Sequence, residues 1–175
     1  METRVSTDPC LIAQAYQETR KRIIALAADD AAWGAAVAAC PGWTVRDVVA
    51  HLAAVAEDWV GGRRSGPPTD EQTAAQIARF GGRDVTEILA AWADSAAQLD
   101  RMAETAGVEP PLGDIACHEH DIRGALGRPG ARDSSAVGYS TDRLLTNLRT
   151  PAPLRVTVED AEYHSGPERG TEIRL

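Results

Sequence analysis

The stretch WTVRDVVAHLAAVAEDW, residues 43–59, decides the fold class. Val45, Val48, Val49, Leu52, Val55, Ala56 and Trp59 recur at steps of three and four, which lays them on one stripe of an α-helix. Thr44 stands just before the stripe and Asp47 three residues on, a capping-box-like start in which the Thr hydroxyl bonds the Asp47 amide. Gly61 and Gly62 end the helix. His51 lies three past Val48 and four before Val55, so it borders the apolar stripe instead of facing open water.

The same period extends outward in both directions. Residues 8–28 place Leu11, Ala15, Ile23, Leu26 and Ala27 at helical spacing, with Glu18, Arg20, Lys21 and Arg22 on the wet side. A small-residue connection over 29–42 closes in the breaker Cys40-Pro41-Gly42. Residues 84–106 carry Val85, Ile88, Leu89, Trp92, Ala96, Leu99 and Met102 on one face, with Gly107 as the C-cap. A further helix over 111–127, entered through Pro110 and Pro111, turns Leu112, Ile115, Ile122, Ala125 and Leu126 inward. Shorter helices are expected at 69–80 and 142–149. Four long helices with short connections predict a mainly α chain, an up-and-down four-helix bundle over residues 1–130. Residues 131–175 form a short extension. In it, the alternation in LRVTVED (154–160) and TEIRL (171–175), with Ser165-Gly166-Pro167 between, predicts a β-hairpin in a small or incomplete β appendage.

A chain of 175 residues is most simply one core with a short appendage. Eighteen Lys and Arg against twenty-six Asp and Glu give a net charge of -8, which disfavours nucleic acid and anionic membranes as partners. No apolar run reaches the ~20 residues of a membrane span. Met1 to Cys10 lacks a signal-peptide layout, so a cytoplasmic protein is expected. Cys10, Cys40 and Cys117 are scattered and odd in number, which offers no disulfide framework and no Cys-x-x-Cys pair. Cys117 adjoins His118, but adjacent helix residues point about 100° apart, so it reads as a plain helix residue. The heavy use of Ala, Arg and Gly suggests a high-GC bacterium.

Chemistry concentrates in GDIACHEHDIRGALGRPG, residues 113–130. Asp114, His118, Glu119, His120 and Asp121 fall within two helical turns, and Asp114 and His118, four apart, share a face. On a helical wheel these two flank the inward stripe, while Glu119 falls close to its apolar centre. With His51 from the earlier helix they supply three N and O ligands for a divalent ion. An open fourth position would mark a catalytic site over a structural one, and nickel, iron or manganese would accept the same set as zinc. A plainer reading stands beside it. His51 also reads as a hydrogen-bonded interior residue, Asp114 as favoured by the helix dipole, and His118, Glu119 and His120 as a solvated charge run.

The segments CPGWTVRDVVAHL (40–52) and Asp-x3-His-x2-Asp-Ile-Arg-x-Ala-Leu-Gly-x-Pro (114–129) resemble the two signature segments of the mycothiol-dependent maleylpyruvate isomerase family. That family lies within the DinB-like, metal-binding four-helix bundles of actinobacteria, and the resemblance covers most of residues 8–130. It implies a divalent metal, usually zinc, held by His51, Asp114 and His118, although the isomerase has Glu where this chain has the shorter Asp114. Glu119, Asp121 and Arg123 also match the pattern, and Asp121 and Arg123 are expected to support the ligands or pack the helix. Members commonly carry a C-terminal sterol-carrier-like α/β domain that lends the isomerase an Arg. Here only a hairpin's worth remains, so a full substrate pocket of that kind would need another subunit, as in a homodimer.

The function implied is a metal-dependent, thiol-using transferase or isomerase. In it, mycothiol, made acidic at the open metal position, attacks a small electrophile. Two neutral imidazoles, one carboxylate and a divalent cation leave the site at +1, which a thiolate neutralises. Arg63 and Arg64 are available to a substrate carboxylate, though a solvated loop explains them equally. The rivals are a metal-dependent hydrolase and a non-catalytic, metal-stabilised binding or regulatory module.

Overall fold

In the computed structural model the described residues are 8–63, 68–158, 161–167 and 173–174. Helix α1 spans Pro9–Leu26, α2 Val45–Val60, α3 Asp70–Ala78, α4 Val85–Ala106, α5 Leu112–Ala125 and α6 Ser135–Asn147. Strands β1 (Leu154–Val158), β2 (Ala161–Ser165) and β3 (Ile173–Arg174) follow. The chain is thus mainly helical with a small C-terminal sheet, as its periodicity predicts.

Local chemistry starts α2, α3 and α4 where the sequence places their beginnings. Thr44 Oγ1 accepts from the Asp47 amide at 3.3 Å and Asp47 Oδ2 accepts from the Thr44 amide at 2.9 Å, which completes the capping box of α2. Thr69/Gln72 and Asp84/Glu87 build the same device on α3 and α4. Gly107 closes α4 at φ 62°, a left-handed conformation that glycine adopts without cost.

Helices α1 and α2 each pack against both α4 and α5, so α2 and α5 are neighbours, the relation a shared ligand set requires. Trp92, Tyr16, Phe80, Leu52, Ile88, Leu99, Ile115 and Ile122 fill the interior with under 2% or 2% exposure, which makes this one continuous core. Trp92 Nε1 donates to Tyr16 OH at 2.9 Å, giving each buried polar tip a partner. Glu119, placed by the wheel near the apolar centre, is 1% exposed and receives both Arg22 of α1 and Arg123. Burial raises its carboxyl, but the hydrogen bonds from Arg22 and Arg123 outweigh that and hold it below the usual carboxylate range.

Two expectations need correction. Helix α6 starts at Ser135, seven residues before the expected 142, because Ser134 caps it and Ala136 and Tyr139 give it a buried face on α1 and α5. The antiparallel partner of β1 is 161–165, not the C-terminal segment, in the register Leu154↔Ser165 to Val158↔Ala161. β3 instead pairs parallel on the other edge of β1, and the sheet order is β2-β1-β3. AEYHS has little apolar alternation, so backbone pairing and the Tyr163 OH···Asp142 bond of 3.0 Å place it where pattern does not. Of the segments read from sequence, Glu159, Asp160, Thr171, Glu172, Leu175, Arg64 and residues 1–7 lie outside the described residues.

Candidate metal centre

His51 sits mid-way along α2 at 3% exposure, on a helix whose Val48, Leu52 and Val55 are also buried. Asp114 is in the first turn of α5 and His118 one turn later, so the helix delivers both to the same face. His51 Nε2 lies 3.6 Å from Asp114 Oδ2, and His118 Nε2 lies 3.7 Å from Asp114 Oδ1. One ligand atom from each residue falls within 4.8 Å of the others.

Those separations are too long for hydrogen bonds. Two ligands about 2.0–2.1 Å from one zinc ion at a tetrahedral angle stand about 3.3–3.4 Å apart, close to what is seen. Asp114 Oδ2 is buried and bonded to nothing, and so is His51 Nδ1. A buried carboxylate oxygen left this way costs stability unless something cationic meets it. The residues therefore fit a divalent ion.

The surroundings orient the set. Asp121 Oδ2 stands 2.9 Å from His118 Nδ1, so with the proton on Nδ1 the lone pair of Nε2 faces Asp114 and His51. Trp43 covers the two imidazoles, its ring centroid 5.4 Å from that of His51 and 6.2 Å from that of His118. A local device brings Trp43 here. Gly42 at φ 86° turns the chain, and Val37 N–H donates to the Trp43 carbonyl at 2.9 Å beside the Ala36↔Thr44 bridge.

The same loop sets Cys40 Sγ 3.8 Å from Asp121 Oδ2 and 4.0 Å from His118 Nδ1. In the sequence Cys40 opens a breaker and Trp43 precedes the Thr44 cap, both within the signature segment 40–52, and no spacing rule places either beside α5. Burial, then the Asp121 carboxylate, push the Cys40 thiol up, which disfavours a thiolate there. Of the other candidates, Glu119 and Arg123 pair with each other and serve packing. Cys117 is exposed.

Asp114 also lines a cleft of about 1080 Å³ between α2, α3, the start of α5 and α6. Its walls include Val55, Trp59, Pro110, Leu112, Tyr139 and Leu144, largely apolar with room for a sizeable small molecule. Arg63, Arg79 and Arg143 reach the rim but are already paired: Arg63 with Asp58, Arg79 with Glu57 and Asp58, Arg143 with Glu109. The substrate-carboxylate role considered for Arg63 thus competes with its 2.7 Å bond to Asp58.

A helical bundle that draws two histidines and a carboxylate from adjacent helices to one point, open to a cleft, is the class of protein defined here. The chain belongs to the family described as mycothiol maleylpyruvate isomerase N-terminal domain, a DinB-like domain, which matches it over residues 16–117. The matched stretch, more than half the chain, contains His51 and Asp114 and stops one residue before His118. No curated protein and no solved structure gives a match. Among the described residues no helix is long and apolar enough to cross a membrane.

Proposed function

We propose that this protein is a metal-dependent, thiol-using transferase or isomerase, with zinc as its ion and mycothiol as the thiol that attacks a small electrophile. One residue carries the reading. Asp114 leaves an oxygen buried without a partner beside His51 and His118, and it also lines the cleft, so the candidate ligands and a space for substrate meet at one side chain. The family match supports the thiol.

His51 and His118 would hold the ion through Nε2, and Asp114 through its carboxylate. A divalent ion held by these residues would lower the pKa of a bound thiol and so supply a thiolate nucleophile at neutral pH. Asp121 keeps the Nδ1 proton of His118 and with it the ring's orientation. Trp43 packs beside both imidazoles and limits their contact with water. Residues 1–130 form the bundle domain in this reading, and 131–175 an extension that docks through α6. A cytoplasmic location and a homodimer that completes the substrate side belong to the same proposal.

The test is metal content by elemental analysis of wild type, His51→Ala and His118→Ala, followed by electrophile consumption with and without mycothiol. About one equivalent of metal in wild type, lost in both variants, is expected for a three-ligand site. Turnover that ignores the thiol would instead mark water as the nucleophile. No metal in wild type, with added zinc leaving the melting temperature unmoved, would remove the metal reading altogether.

A further inference from the structure

Among the described residues four buried side-chain atoms lack any hydrogen-bond partner: His51 Nδ1, Asp114 Oδ2, Gln76 Oε1 and Ser140 Oγ. The metal reading accounts for Asp114 Oδ2, while His51, with Nε2 toward the ion, keeps Nδ1 buried without a partner. Gln76 and Ser140 belong to α3 and α6, and both line the same cleft as Asp114. They are 8% and 9% exposed, so bulk water does not explain them.

Gln76 is not free to turn. Its Nε2 donates to Asp58 Oδ2 at 2.9 Å, and a carboxylate accepts only, so the amide oxygen is fixed as an outstanding acceptor. Asp58 is itself held by Arg63 and Arg79. Burial raises the Asp58 carboxyl, but hydrogen bonds from Gln76, Arg63 and Arg79 outweigh it and keep it ionised, so this anchor is stable. Ser140 Oγ stands 4.0 Å from where a Cβ on Gly113 would be, next to Asp114 in sequence. The hydroxyl is thus at the ligand end of the cleft. The guanidinium groups on the rim are committed to acids, so little is left to capture an anion.

We propose that Gln76 and Ser140 are specificity-determining residues. They read O–H groups on a neutral, hydroxyl-bearing part of the cleft's ligand, and select it over a simple carboxylate-bearing thiol that lacks those hydroxyls. The assignment rests on the thiol-using reading above and adds to it which two side chains do the selecting. An empty pair of hydrogen-bonding positions in an apolar cleft costs the free protein stability and returns it when a matching ligand binds.

That exchange gives the test two independent readouts. Binding of mycothiol and of N-acetylcysteine is measured by calorimetry on metal-loaded wild type, Ser140→Ala and Gln76→Met, and melting temperatures are taken without ligand. Each variant is expected to bind mycothiol about tenfold more weakly, the worth of one buried hydrogen bond, with N-acetylcysteine unchanged. Ser140→Ala without ligand is expected to melt at or above the wild-type temperature, which a structural hydroxyl would not allow. Unchanged mycothiol affinity in both variants overturns the assignment and leaves the thiol reading standing. A Ser140→Ala protein that melts lower than wild type overturns it for Ser140. No mycothiol binding to wild type overturns both readings together.

Discussion

Replacing Glu119 by Gln removes a charge that two helices share. The carboxylate is 1% exposed, and Arg22 and Arg123 around it are 29% and 13% exposed. Four hydrogen bonds converge on it: Arg22 Nε and Nη2 at 2.9 and 2.7 Å, and Arg123 Nε and Nη2 at 3.0 and 2.8 Å. Removing one partner of a buried pair costs about 3–5 kcal/mol, because the remaining charge stays desolvated. Arg22 retains some contact with water, so the lower end applies, about 3 kcal/mol. For a chain of this length that lowers the melting temperature by roughly 6–12 °C. Circular dichroism at 222 nm under heat and in urea reads both quantities. The companion variant Arg22→Met, Glu119→Leu, Arg123→Met swaps the whole network for apolar groups and is expected to recover most of the loss. A loss below about 1 kcal/mol for Glu119→Gln would refute the reasoning, since that is the range of a solvated surface pair. Because α5 presents Asp114 and His118, metal affinity is expected to fall along with stability.

Two further outcomes follow from the interior and the α2–α3 contact. Tyr16→Phe leaves the Trp92 indole N–H buried without its 2.9 Å acceptor, and the expected cost is about 1–3 kcal/mol by urea unfolding; a neutral result would mean a water enters to replace the hydroxyl. Asp58→Asn is expected to lose about 1.5–3 kcal/mol at pH 7, since charged hydrogen bonds from Arg63 and Arg79 meet on one carboxylate. The folded pKa of Asp58 is depressed, so its contribution is fully present above the unfolded value of ~3.9 and is lost as pH falls through the lower folded value. Wild-type and Asp58→Asn urea midpoints should therefore converge below about pH 4, and a gap that persists or widens there would contradict the assignment.

Legibility divides by the range of the physics. Helices α2, α4 and α5 were readable because a 3.6-residue period, a capping box at Thr44–Asp47 and a left-handed Gly107 are properties of a few consecutive residues. The pairing of Asp114 with His118 was readable for the same reason, since four residues make one helical turn. Helix α6 reads short in the sequence because Gly138 and scattered polar residues blur its stripe, and its buried face forms against α1 and α5. The β pairing departs from the alternation because short strands take their partners from whichever backbone edge lies free, and pattern alone does not name that edge.

By itself the sequence determined the helices, their caps and the facing pair on α5, all decided by local backbone geometry. Only the tertiary structure decided that His51 comes within 3.6 Å of Asp114, that the 35–44 loop lays Trp43 and Cys40 against His118, and that Gln76 and Ser140 enter one cleft. Those distances are set by how side chains from α1, α2, α4 and α5 fill a common core. That packing depends on all of them at once, so no spacing along the chain encodes it.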